Sequence, residues 1–345
     1  MKNNKVIIIA EAGVNHNGDL NKALDLIDCA ALAGADYVKF QTFKAEKLVN
    51  QAAKKAEYQI NNTKGESDSQ MEMLKNLELK DDWYPILVER CSQKGIKFLS
   101  TGFDTDSIDF LENFEIPFYK IPSGELTNKP YLKHIATKGK ELIISTGMAT
   151  LKEVNDALEV ILGSGLEKER ITVLHCNTEY PTPMEDVNLL AMNHIARELG
   201  VKVGYSDHTL GIEVPIAAVA LGACVIEKHF TLNRNLPGPD HAASLEPDEL
   251  KAMVMGIRNI EKALSGSGIK EPSESEKKNI GIVRKSLHYH TDLNPGHILK
   301  EEDVLILRPA FGISPMEIDS VLGKTIRRKV KSGNLINSKD FDNHR

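Results

Sequence analysis

The sequence predicts an α/β fold: a closed (β/α)8 barrel of the TIM type, followed by a small β-rich domain. Three observations predict it. Eight short apolar runs recur up to His229, helix-like segments follow nearly all of them, and the pattern changes beyond about Asn279. Strand–helix alternation repeated eight times closes a parallel barrel, whose chemistry gathers at the C-terminal strand ends. The expected boundaries are residues 1–264 for the barrel, 265–281 for a linker and 282–345 for the small domain.

Each run ends on polar residues. Val6–Ile9 leads into Glu11, Tyr37–Val38 into Lys39 and Gln41, and Lys97–Leu99 into Ser100 and Thr101. Phe118–Tyr119 leads into Lys120 and Ser123, Leu142–Ile144 into Ser145 and Thr146, and Ile171–Leu174 into His175. Val201–Tyr205 ends at Ser206 and His208, and Cys224–Ile226 at Glu227 and His229. Between the runs, Leu20–Ala33 carries apolar residues at helical spacing and stops at Gly34. Residues 43–80 form a polar insertion, read either as a substrate loop or as a solvated excursion. Helices are expected over Asp82–Lys94, Asp106–Asn113, Lys152–Leu162, Val187–Leu199, the alanine-rich 212–222 stretch and Pro247–Leu264. Ser265–Ser275 is rich in Gly, Ser and Pro, the composition of a linker. Beyond it, short apolar pieces (Ile280–Val283, Ser286–Tyr289, Val304–Leu307 and Thr325–Arg327) alternate with turn signals such as Asn294-Pro295-Gly296. A domain this small is expected to lean on the barrel or on another subunit.

Composition narrows the function classes. The chain has 345 residues, 41% of them hydrophobic, which is enough for a sizeable core. A net charge of −6 argues against nucleic-acid binding and against a polybasic membrane surface. The run Val6–Ala10 is too short for a signal h-region or a membrane span. Cys29, Cys91, Cys176 and Cys224 are scattered without CxxC spacing, as expected of free thiols in a reducing cytoplasm.

Three constellations carry chemistry. His208 and His229 end neighbouring strands and could hold a divalent metal with open positions for water or substrate; ordinary polar histidines are the alternative. Ligand softness admits zinc or iron as readily as manganese. Lys39, Lys120, Thr101, Ser123 and Ser145 describe a pocket for a phosphate or carboxylate, because a lysine buried there needs an anionic partner. Alternatively, one lysine pairs with Glu11 or Glu125. No P-loop or dinucleotide fingerprint is present, so a phosphate would belong to a small substrate. Glu11, Glu125 and Asp240 form the third group, able to orient water, move protons or accept sugar hydroxyls, or simply to balance charge.

At this point the residues carry a resemblance. Glu11–Gly18 (EAGVNHNG), Val38–Thr42 (VKFQT), Tyr119–Glu125 (YKIPSGE), Ser145–Met148 (STGM) and His175–Pro183 (HCNTEYPTP) are similar to the N-acetylneuraminate (sialic acid) synthase family, which includes legionaminic acid synthases. So are Tyr205–Thr209 (YSDHT), Glu227–Thr231 (EKHFT) and Pro237–Asp240 (PGPD). Leu307-Arg-Pro309 and Gly312–Pro315 resemble the antifreeze-like (SAF) domain of the same enzymes.

The resemblance implies a cytoplasmic, carbon–carbon bond-forming transferase. It would condense phosphoenolpyruvate with N-acetylmannosamine or a close analogue, giving a nine-carbon 2-keto acid and phosphate. It further implies that His208 and His229 bind a divalent metal, usually manganese in the family with magnesium or cobalt as further candidates, which polarises the sugar aldehyde. Lys39, Thr101, Lys120, Ser123, Ser145 and Thr178 would hold phosphoenolpyruvate, position 178 being asparagine in some members. Gln41, Asn62, Tyr180 and Asp240 would contact the sugar. Glu11, Glu125 and Lys120 are the catalytic candidates. Arg308 would reach the sugar from the partner subunit, implying a homodimer with swapped C-terminal domains; a plain surface arginine is the alternative reading. Gly102 and Leu236-Pro237 also occur in synthases that use a 2,4-diacetamido-trideoxy sugar, whereas Asn177–Pro183 and Gln59–Thr63 lean toward bacterial sialic acid synthases. Another metal-dependent aldolase or sugar-phosphate synthase is the remoter alternative.

Overall fold

The computed structural model describes residues 5–63 and 67–341. Lys64 and Gly65 of the insertion lie outside them. The chain divides into two compact units, one ending at Ser265 and the other beginning at Gly266.

The first unit is an eight-stranded parallel sheet: β1 (Ile7–Gly13), β2 (Tyr37–Thr42), β3 (Lys97–Gly102), β4 (Phe118–Ile121), β5 (Glu141–Ser145), β6 (Ile171–His175), β7 (Lys202–Asp207) and β8 (Val225–His229). Hydrogen-bonded neighbours run β3-β2-β1-β8-β7-β6-β5-β4, and β3 packs against β4 to bring the sheet round into a barrel. The strands are buried on both faces, which explains their near-continuous apolar runs. Register sets the mouth: Glu11 stands opposite both Lys39 and His229, and Ser206 stands opposite Glu227.

Helices follow for identifiable reasons. Leu20–Ala33 starts where the Asp19 side chain accepts the N–H groups of Asn21 and Lys22, and stops at Gly34, whose φ of 83° is left-handed. Thr150 and Glu153 form a capping box on Leu151–Leu162. One helix, Lys129–Thr137, goes unread in the sequence, although Asn128 caps it and Pro130 opens its first turn. The insertion carries three short helices, Ala45–Leu48, Glu57–Thr63 and Gln70–Lys75. The first and third of these contribute to a small apolar cluster of Val14, Phe43, Ala45, Met73, Leu74 and Leu77.

In the second unit, β9 (Ser286–Tyr289) pairs antiparallel with β10 (Val304–Leu307). Isolated bridges at Leu293–Val330, Ile298–Thr325 and Ile326–Phe341 extend the β structure. Leu287, Tyr289, Leu299, Ile326 and Ile336 fill its core. The expected linker differs here. Its second half is helix Glu274–Val283, opened by a Ser273–Glu276 capping box, so the apolar piece Ile280–Val283 is helical rather than strand-like. Capping chemistry outweighs the Gly- and Ser-rich composition just before it. Among the described residues no helix is long and apolar enough to cross a membrane.

Candidate active site

A cavity of about 610 Å³ opens at the C-terminal ends of the barrel strands, a usual volume for a small-molecule site. Its lining brings together Glu11, Lys39, Gln41, Thr101, Lys120, Ser123, Glu125, Ser145, Thr178, Tyr180, His208, His229 and Asp240. Thirteen side chains from every strand end therefore meet as the alternation of strands and helices implies. Asn62 and Arg308 are not in the lining. The Asn62 amide donates to the carbonyls of Pro239 (2.7 Å) and Tyr180 (3.4 Å), holding two site loops together. Arg308 follows β10 in the second unit and is exposed.

The floor alternates in charge. Lys39 Nζ is 2.7 Å from Glu11 Oε2 and 3.5 Å from Glu227 Oε2, and it donates to Thr101 Oγ1 at 2.8 Å. Lys120 Nζ is 3.3 Å from the other Glu227 oxygen, which also accepts from Ser206 Oγ at 3.0 Å. Of the two sequence readings for the lysines, an ion pair with Glu11 holds for Lys39. Ser206 and Glu227 are read in the sequence as strand-end residues, but no role is assigned to them there. Their signal was present, because each lies two positions before a site histidine and so shares its face.

Burial and pairing separate the carboxylates. Burial raises the Glu11 carboxyl above its ordinary range, against the pull of Lys39. Burial acts on Glu227 in the same direction, but Lys120 and Lys39 overcome it and hold the group down at about 2. Burial, with Glu11 nearby, pushes Asp240 up to about 7. Glu125 is raised by burial and bonded by the Asn128 amide at 2.6 Å. One firmly ionised carboxylate is thus shared by two lysines, and its neighbours are drawn toward neutrality. An anion entering here meets two ammonium groups, those of Lys39 and Lys120.

The imidazoles sit beside this floor. His208 and His229 have ring centroids 5.2 Å apart, and Tyr180 stacks on His208 at 4.0 Å. Tyr58, a residue not singled out in the sequence, stacks on Tyr180 at 5.0 Å. Burial lowers His208 to about 4 and His229 well below its ordinary value, so both are neutral near pH 7. His208 donates from Nδ1 to the Asn177 carbonyl, which leaves the Nε2 lone pair free. His229 Nδ1 is buried without a hydrogen-bond partner, with Asp240 Oδ2 at 3.7 Å. Two neutral nitrogen donors, one of them oriented by its bond to the Asn177 carbonyl, fit a divalent metal. Among the described residues no third His, Cys, Asp or Glu completes a ligand cluster, so water or substrate would fill the other positions.

Gly147 shapes the wall. Its N–H donates to Ser123 Oγ at 3.0 Å, and a Cβ there would stand 2.4 Å from Thr178 Cγ2 and 2.9 Å from Ser123 Oγ. Only a residue without a side chain lets these two groups approach.

With this geometry in hand, similarity to known proteins is informative. The NeuB family matches residues 26–270 and the SAF domain residues 284–342. Over 332 residues the chain is 52% identical to the N,N'-diacetyllegionaminic acid synthase of Campylobacter jejuni, covering 96% of this chain and 99% of that protein. The enzyme of the same name from Legionella pneumophila is 50% identical over 332 residues, covering 95% and 92% of the two chains. Among solved structures, the sialic acid synthetase of Leptospira borgpetersenii in complex with citrate matches with a TM-score of 0.70 at 36% identity, covering 81% of this chain and 91% of that chain. A family match over most of the barrel, with half of all residues identical along nearly the whole chain, leaves one conclusion: this chain is an enzyme that belongs to the NeuB family, and it carries a SAF domain.

Proposed function

We propose that this enzyme condenses phosphoenolpyruvate with 2,4-diacetamido-2,4,6-trideoxymannose, giving N,N'-diacetyllegionaminic acid and phosphate. The observation that carries the reaction class is the alternation Glu11–Lys39–Glu227–Lys120 beneath two neutral imidazoles. In this reading Lys39, Lys120, Thr101, Ser123, Ser145 and Thr178 bind the phosphate and carboxylate of phosphoenolpyruvate. Its carbon 3 attacks the open-chain aldehyde, water adds at carbon 2, and phosphate leaves by C–O cleavage. A divalent cation, manganese or in its place magnesium or cobalt, held by His208 and His229 would supply Lewis-acid polarisation of the aldehyde. Asp240, poised near neutrality, accepts or returns a proton at the sugar, while Glu11 and Glu125 orient the aldehyde and the attacking water. Gln41 and Tyr180 contact the acceptor. Arg308 reaches it from the swapped C-terminal domain of a partner subunit.

Two things support the diacetamido acceptor. The chain is more similar to the two diacetyllegionaminic acid synthases than to the sialic acid synthetase. The cavity wall built from Leu48, Val49, Met73, Leu74, Leu77 and Phe103 is apolar, which suits a deoxy carbon better than a hydroxyl. N-acetylmannosamine, giving N-acetylneuraminate, is the second reading. The Asn177–Pro183 and Gln59–Thr63 stretches favour it.

Phosphate release from phosphoenolpyruvate with Mn²⁺ tests both. N-acetylmannosamine, its 6-phosphate and the diacetamido sugar are offered in parallel. Highest kcat/KM with the diacetamido sugar is expected. Equal or better turnover of N-acetylmannosamine moves the assignment to N-acetylneuraminate, and no release with any acceptor and metal removes the condensing role.

A further inference from the structure

A second charged pair lies directly behind the histidines, on the opposite face of the same two strands. Asp207 pairs with Lys228 in the β7–β8 register, and neither side chain has any measurable exposure. Lys228 Nζ donates to Asp207 Oδ2 at 2.6 Å and to the Thr209 carbonyl. Thr209 returns two bonds, its N–H to Asp207 Oδ1 and its hydroxyl to Asp207 Oδ2, both at 3.0 Å. None of the three residues lines the cavity, so no substrate meets them.

A fully buried ion pair is a weak source of stability, since desolvation offsets its attraction and an apolar pair of similar volume serves as well. It is a strong source of geometry. These four bonds tie down the residue before His208, the residue after it and the residue before His229. We infer that the Asp207–Lys228–Thr209 ring is the positioning device that holds His208 and His229 at metal-binding separation. This rests on the two-histidine metal reading above. Loosening the ring lets the β7 end and the β8 end move independently, and a ligand pair tolerates only about 0.5 Å of such error.

The test is Mn²⁺ affinity of the full-length chain, read from the electron paramagnetic resonance signal of free Mn²⁺, alongside urea unfolding without metal. The double variant Asp207→Asn with Lys228→Met removes both charges and keeps the volume. Its Mn²⁺ Kd is expected to rise about tenfold or more, with the urea midpoint held or raised. Thr209→Val removes one bond and leaves the ion pair, so a rise of roughly threefold is expected. It carries the decision if the double variant fails to fold. Wild-type affinity in a folded variant overturns the inference. His208→Ala separates the two readings. If the wild type binds Mn²⁺ no better than His208→Ala, the metal reading itself fails and takes this one with it. If the wild type binds and the ring variants bind equally well, only the positioning role fails.

Discussion

The ammonium of Lys39 lies 2.7 Å from the carboxylate of Glu11, with both side chains only 2% exposed. The pair bridges the first two strands and faces the cavity, so it is both a packing element and part of the anion site. Lys39→Ala would leave Glu11 and Glu227 facing each other without their shared cation. Breaking a buried pair this way should cost about 3–5 kcal/mol of stability and abolish measurable saturation by phosphoenolpyruvate. Glu11→Gln keeps the shape and one acceptor. Its stability should stay close to wild type while kcat falls at least about 100-fold. Urea unfolding and steady-state kinetics on both variants check this; an unchanged kcat in Glu11→Gln removes the role given to that carboxyl.

Gly147→Ala places a methyl group where Thr178 and Ser123 already stand. The expected effect falls on phosphoenolpyruvate, whose KM should rise about tenfold, equivalent to about 1.4 kcal/mol, while the KM for the acceptor changes little. A KM increase confined to the acceptor would contradict the placement of Ser123 and Thr178.

His16 supplies a pH prediction independent of the metal pair. It is fully buried, its Nδ1 accepts from the Gly18 N–H at 3.0 Å, and burial lowers it from 6.5 to about 4. Because the folded state resists protonation, its contribution is complete above pH 6.5 and is lost as the pH falls toward 4. The loss amounts to about 2–3 kcal/mol by pH 4.5. Other buried histidines act in the same direction, so the diagnostic quantity is the difference between wild type and His16→Gln. That difference should narrow between pH 7 and pH 4.5 in urea titrations. A difference that does not change with pH would exclude His16 as a source of the acid sensitivity.

Subunit mixing addresses Arg308. If the C-terminal domains are swapped, Arg308→Ala and Lys120→Ala homodimers are both inactive. A mixed dimer has one barrel with Lys120 intact and a partner supplying Arg308. Random exchange should therefore restore about a quarter of wild-type activity, one site in two on half of the dimers. No recovery under conditions where exchange is demonstrated would mean that Arg308 does not act in trans.

Much of this protein was readable in its local pattern. The strand ends, the helix stop at Gly34 and the placement of His208 and His229 on adjacent strands follow from periodicities that involve only a few residues at a time. Where local signals competed, reading was less secure. The Gly- and Ser-rich stretch before Ser273 obscured a capping box, and the helix after β4 was overlooked despite its Asn128 cap and Pro130. Asn62 illustrates a different limit: its identity says that an amide is present, not that its donors are taken by Pro239 and Tyr180.

By itself, then, the sequence determined the barrel, the SAF domain and the inventory of lysines, carboxylates, hydroxyls and imidazoles at one mouth. Only the tertiary structure decided who pairs with whom. Lys120 lies on β4 and Glu227 on β8, strands on opposite sides of the barrel, and closure alone sets their 3.3 Å contact. Which carboxyl stays ionised and which is driven toward neutrality follows from that contact and from burial, because charge interactions act through space and depend on distances that no stretch of chain encodes locally.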